Sequence, residues 1–181
     1  MISRVRLISL FLTNFPSQIT QTRWIGIVLV GNFILPFWWL SFLENRGFIL
    51  DDTLANHKLH RQRLMALWPI AVIIGVEVIF MFFRQMHEPL FAVLLSSFAI
   101  AIIGGFISYY WKISAHTIGF SSTITLLTLL LGLWVLWTIA IFPLLAWARL
   151  KLHRHTPLQL LIGTILPPLL ILLIFNYFNL I

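Results

Sequence analysis

Apolar runs fill most of this chain, and its polar residues fall into a few short blocks between them. Residues 24–43, 89–111, 117–147 and 158–181 carry no charged side chain, and residues 64–83 carry one, Glu77. About 20 helical residues, rising 1.5 Å each, cross a hydrocarbon core roughly 30 Å thick, so each of these runs reads as membrane-spanning helix. The ambiguous one is Thr117 to Trp147, whose 31 uncharged residues exceed one comfortable span and fall short of two generous ones. Gly132 interrupts its leucine-rich middle, and Trp134 and Trp137 follow as interfacial aromatics do, so the pattern predicts a break there. The expected architecture is all-α and polytopic, with six transmembrane helices. Pro167 and Pro168 predict a kink midway along the last span.

A reversal at Gly132 puts the polar segments 44–63, 112–116 and 148–157 on one side of the membrane. That side then holds Arg46, Lys58, Arg61, Arg63, Lys112, Arg149, Lys151 and Arg154, eight of the twelve Lys and Arg residues. Such asymmetry ordinarily marks the cytoplasmic side, although a phosphate site gathers cations whichever side it faces. The stretch MISRVRLISLFLTNFPS at the start superficially resembles a secretory signal. No small-residue cleavage pattern follows, and Pro16 and Gln18 lead into another apolar run, so residues 1–22 are expected to form an amphipathic helix on the membrane surface ahead of a six-helix domain at 23–181.

Composition agrees with this reading. Over 181 residues, 60% are hydrophobic and 9% charged, the mean hydropathy is +0.99, and the net charge is +7. These values lie far from those of soluble domains and imply an integral membrane protein, expected in an inner or plasma membrane. The chain has no cysteine, which removes disulfides, thiolate metal sites and cysteine nucleophiles. The positive charge suits anionic partners. Membrane lipids and an amphiphilic phosphorylated substrate fit, and nucleic acid does not, because no basic face with interleaved aromatics exists outside the spans.

The densest polar block is ARLKLHRHTPLQ, residues 148–159, with Arg149, Lys151, His153, Arg154 and His155 inside seven positions. Arg149, five residues, His155, three residues and Gln159, taken with ISAH at 113–116 and the basic HKLHRQR at 57–63, resembles the type 2 phosphatidic acid phosphatase superfamily. That family has a six-helix membrane core and three motifs: Lys followed at a distance by Arg-Pro, then Pro-Ser-Gly-His, then Ser-Arg, five residues, His, three residues and Asp. The resemblance runs from about residue 44 onward. It implies that His155 is the nucleophile taking the phosphoryl group, that His116 protonates the leaving oxygen, and that Arg149, Ser114, Lys112 and a cation from Lys58, Arg61 or Arg63 hold the phosphate oxygens. Clustered cations stabilise charge developing on a transferring phosphoryl group, and two histidines can divide the nucleophile and acid duties. No metal or other cofactor is required.

Departures from the motifs are instructive. Ile113 stands in place of Pro, Ala115 of Gly, Ala148 of Ser and Gln159 of Asp, and Arg63 is followed by Leu64. On a helix beginning near Thr156, residues 155 and 159 share a face, so Gln159 can accept a hydrogen bond from the imidazole without supplying negative charge. A weak or inactive relative, serving as a lipid-binding or structural subunit of a larger membrane complex, is therefore the second reading. The plainest alternative makes these residues juxtamembrane anchors to headgroups.

Other residues attract attention. Glu77 inside a span reads equally as a functional carboxyl or a hydrogen-bonded helix contact. Asp51, Asp52, His57 and His60 could be drawn as a metal site, but no matching carboxylates occur elsewhere, and a solvated loop is expected. His153 reads as a headgroup contact, and His87 has no evident partner. Ser96, Ser97, Gly104 and Gly105 suggest close packing of the third span.

Overall fold

A computed structural model of the protein describes residues 23, 26–28, 30–48, 60–84, 88–153 and 155–181. Among them every regular element is helical. A π-helical turn, Val30–Ile34, leads into α1, Leu35–Asn45, and α2 spans His60–Phe83, α3 Glu88–Tyr110 and α4 Ala115–Leu131. A 3₁₀ segment, Leu133–Ile141, runs directly into α5, Phe142–Lys151, and α6 spans Pro157–Tyr177. The expected amphipathic segment 1–22 lies outside the described residues, as do Asp51, Asp52, His57, Lys58 and His87.

Five stretches are long and apolar enough to cross a bilayer: Gly26–Leu43, Ala66–Phe83, Pro89–Tyr110, Leu133–Lys151 and Pro157–Tyr177. Four of them fall on the runs that lack Lys and Arg, and Leu133–Lys151 begins inside the 117–147 run and ends past it at Arg149 and Lys151. Hydrocarbon penalises charge and an unsatisfied backbone alike, which favours helix in such segments. This is an integral membrane protein. α4 is apolar but has 17 residues, so at 1.5 Å per residue it rises about 25 Å, short of the full hydrocarbon thickness.

The helices pack as pairs, α2 against α3 and α4 against α6, and α3 against α6 joins the two pairs. Ala92 and Ile100 of α3 meet Ile171, Phe175 and Leu180 in the central cluster, and Phe91 meets Phe178 edge to face at 5.9 Å. The 3₁₀ segment lies against α4 and exposes Trp134 and Trp137, as lipid-facing aromatics of a membrane protein would be.

The break expected in the 117–147 run is present at Gly132, where α4 stops and the 3₁₀ segment starts. Gly132 has φ +109° and ψ 176°, a region only glycine occupies at low cost. Its N–H still donates to the Thr128 carbonyl at 2.9 Å, so the chain turns away from the helix without leaving that carbonyl unmet. Gly132→Ala is expected to destabilise the protein by about 1–3 kcal/mol through forced φ alone. Thermal unfolding of the detergent-solubilised protein, followed by tryptophan fluorescence, reads this loss.

Continuity of the last helix through Pro167 and Pro168 needs a compensation, because each proline removes a backbone donor. Pro167 leaves the Gly163 carbonyl without its helical partner. The Ser121 hydroxyl of α4 approaches that carbonyl at 3.2 Å, sharing its one hydrogen with the nearer Thr117 carbonyl at 2.8 Å, a partial cross-helix compensation of the kind membrane helices use. Gly163 is itself required for this approach, since a Cβ there would land on Thr117 Oγ1 and come within 3.0 Å of the Ser114 carbonyl oxygen.

Candidate functional site

Two polar segments far apart in sequence meet at one end of the helix array. The first is Lys112–His116, entering α4. Ser114 is the N-cap of that helix, fully buried, and its hydroxyl accepts from the Thr117 N–H at 3.4 Å. Its carbonyl accepts from the Ile118 N–H and from the Thr117 hydroxyl, both at 3.0 Å. Lys112 is also buried, while His116 lies at the exposed rim on the first turn.

The second segment is the end of α5 and the entry to α6. Arg149 and Lys151 occupy the last turn of α5, where cations complement the helix dipole. Lys151 Nζ sits 4.6 Å from the centre of the Trp147 ring. The chain then turns through His153, whose φ is +51°, an exposed position in keeping with a headgroup contact. Thr156 caps α6. Its N–H donates to Gln159 Oε1 at 3.0 Å, and the Gln159 N–H donates to Thr156 Oγ1 at 3.4 Å, a closed capping box.

The tight α4–α6 contact at Gly163 brings these two helix starts together, so His155 feels Lys112, Arg149 and His116 at once. Burial, then the charge of Lys112, push the His155 imidazole down from 6.5 to about 4. A side-chain hydrogen bond with Gln159 opposes the shift, and Arg149 and His116 add to it. His116 is lowered as well, first by the protein around it and then by the Arg149 guanidinium. Both rings are thus neutral near pH 7. Among the described residues no carboxylate pairs with Arg149 or His155. The positive ends of α4 and α6 reinforce the same sign, and the cluster as a whole favours an anion.

The structure therefore gathers Lys112, Ser114, His116, Arg149, His155 and Gln159 in one place. Ser114 is a buried helix cap, an arrangement the motif reading did not anticipate. Gln159 has two neighbours where one was expected, and its firmest bond is to the Thr156 N–H, while His155 Nδ1 is buried with no hydrogen-bond partner among the described residues. Lys58 lies outside the described residues, and so do the side chains of Arg61, Arg63 and His60, although the last three stand in the first turn of α2. No group of metal-ligating side chains forms among the described residues. Thr117, Ser121 and Gly163, which hold α4 against α6, escaped sequence reasoning because small and hydroxylated residues are common throughout membrane helices.

Depressed histidines carry a stability consequence. The unfolded chain takes up a proton at His155 below about 6.5 and the folded chain only near 4. The unfolded state therefore binds more protons in that window, and stability is lost as pH falls through it. The thermal midpoint is expected to drop between pH 6.5 and 4. His155→Gln flattens the drop, as pH-dependent unfolding curves of the two proteins would register.

No protein-family model, curated protein or solved structure matches this chain.

Proposed function

We propose that this is a six-span membrane protein of the type 2 phosphatidic acid phosphatase kind, acting on an amphiphilic phosphate ester or an isoprenoid diphosphate through a phosphohistidine. The observation that carries the reading is the convergence of Lys112, His116, Arg149 and His155 from two separate polar segments. Six spans follow if α4 crosses as a short helix and the chain reverses at Gly132. The three polar segments then share one membrane face, and the lipid tail stays in the bilayer while its phosphate meets the cations.

In the proposed first step the His155 imidazole attacks phosphorus as the bond to the lipid oxygen breaks. His116, protonated, gives that oxygen its proton. Water then attacks phosphorus, passing a proton to His116, as the phosphorus–nitrogen bond breaks, which returns the His155 imidazole and releases inorganic phosphate. Lys112 and Arg149 stabilise the equatorial oxygens throughout. Arg61 and Arg63 stand in the first turn of α2 and would add to this set. The acid must be protonated and the nucleophile neutral, and His116 is held below its ordinary value. The kcat/KM is therefore expected to fall as pH rises toward neutrality, with loss of the His116 proton, and to fall in acid near 4 as His155 takes up a proton. A maximum above pH 8 would remove His116 from the acid role.

One observation favours the second reading, a lipid-binding or structural subunit. Gln159, whose amide oxygen also closes the capping box, is neutral, and His155 Nδ1 has no hydrogen-bond partner among the described residues, so position 159 supplies no counterion to steady a phosphoryl-imidazole. Phosphate release by the purified protein from a panel of lipid phosphates and isoprenoid diphosphates separates the two. Release supports the enzyme. Absence of release with every substrate, joined to stoichiometric copurification with a larger membrane complex, supports the subunit.

A further inference from the structure

The π-helical turn before α1 carries a polar arrangement unrelated to the histidine cluster. Glu77, midway along α2, is buried, and its Oε2 accepts from Asn32 Nδ2 at 2.8 Å. A Cβ at position 31 would land on the carboxylate, so Gly31 is what admits it. The second amide hydrogen of Asn32 goes to the Val28 carbonyl at 3.1 Å. Both partners of the amide are acceptors, which fixes its orientation and leaves Oδ1 as the group Asn32 has to offer.

Asn32 lines a cavity of about 430 Å³ bounded by the first turn and by α2, α3 and α4. Three of its other polar lining residues are similarly committed. Ser96 donates to the Ala92 carbonyl at 2.7 Å, Ser97 to the Val93 carbonyl at 3.1 Å, and Ser122 to the Ile118 carbonyl at 2.6 Å. Each hydroxyl has spent its one hydrogen and keeps lone pairs. These walls are therefore apolar surface studded with acceptors, and Asn32 Oδ1 is strengthened because its amide donates to a carboxyl group. A guest that brings only hydrocarbon leaves that oxygen unmet.

We propose that this cavity binds a slender apolar amphiphile ending in a hydrogen-bond donor, a hydroxyl or an ammonium group, with Asn32 Oδ1 as the receiving atom. Its size is that of small-ligand pockets, and Ala115 at its edge sets it beside, and not within, the cationic cluster. The site is independent of phosphoryl chemistry.

The test uses the full-length protein in nanodiscs of zwitterionic lipid, labelled with a photoreactive long-chain primary alcohol and mapped by peptide mass spectrometry. Adducts are expected on the cavity-facing stretches around Ile100 and Gly119. The unlabelled alcohol or the corresponding primary amine should displace the probe at a concentration about tenfold or more below that of the equal-length alkane. Asn32→Leu should abolish the advantage over the alkane. Gly119→Leu serves where that variant does not fold: a Cβ at 119 meets open space, so the longer side chain fills the cavity and lowers labelling. Equal competition by the alkane in the wild-type protein, or adducts spread over lipid-facing Phe106 and Trp137, would overturn the proposal.

Discussion

His155→Ala is expected to abolish phosphate release, with a loss on the order of 10³ or more in kcat, because the proposed reaction has no path around its covalent intermediate. His116→Ala should behave differently. A lipid alkoxide leaves poorly without its proton, but a diphosphate leaves more readily, so the two substrate classes should diverge in that variant. The nucleophile's loss has a signature that a merely structural role would not produce. Radiolabelled substrate, quenched during turnover, should leave an acid-labile, alkali-stable phosphoramidate on the wild-type chain and none on His155→Ala. Added imidazole should restore part of the activity to the truncated site, whose histidine pocket is half-buried and bounded by Lys112 and Arg149. Activity persisting in His155→Ala would assign the chemistry elsewhere.

Gln159→Asp carries the second large effect, and its sign is opposite. A carboxylate beside the imidazole supplies a counterion for a phosphorylated or protonated ring, which the neutral Gln159 amide does not. In a serine hydrolase triad, trading the aspartate for its amide costs roughly 10⁴ in rate, which bounds the gain at position 159. The negative charge should also raise the His155 value from about 4, moving the acidic limb of the rate profile upward. Gln159→Glu offers an internal comparison. It keeps the reach to the Thr156 N–H and hence the capping box, so any difference between the two variants reports on geometry, and their common gain reports on charge. A rate equal to or below wild type in both would contradict the role given to position 159.

What could be read along the chain follows from what hydrocarbon tolerates. Charge-free length marks spans directly, and the runs at 89–111 and 158–181 reappear as α3 and α6 with ends within a few residues. Gly132 was legible because a leucine-rich helix seldom contains a glycine without a backbone reason, and φ +109° supplies that reason. Nothing in LWVLWTIAI distinguishes a 3₁₀ segment from an α-helix. Thr156-x-x-Gln159 is a capping box in plain sequence, yet only packing reveals that the box competes with His155 for the same amide. The Asn32–Glu77 bond joins residues 45 apart and leaves no local trace. The convergence of the 112–116 and 149–159 segments was expected from the sequence, while the depressed histidines depend on burial, which spacing does not express.

Membrane sidedness tests the central claim most directly. The native chain has no cysteine, so Ala115→Cys and His153→Cys each introduce a single thiol beside one half of the cluster, at positions exposed on the surface. A membrane-impermeant maleimide, applied to sealed vesicles of one orientation, should modify both variants or neither, and should do the reverse in inverted vesicles. Modification of position 115 from one face and position 153 from the other would separate the two halves of the proposed phosphoryl site and contradict the account.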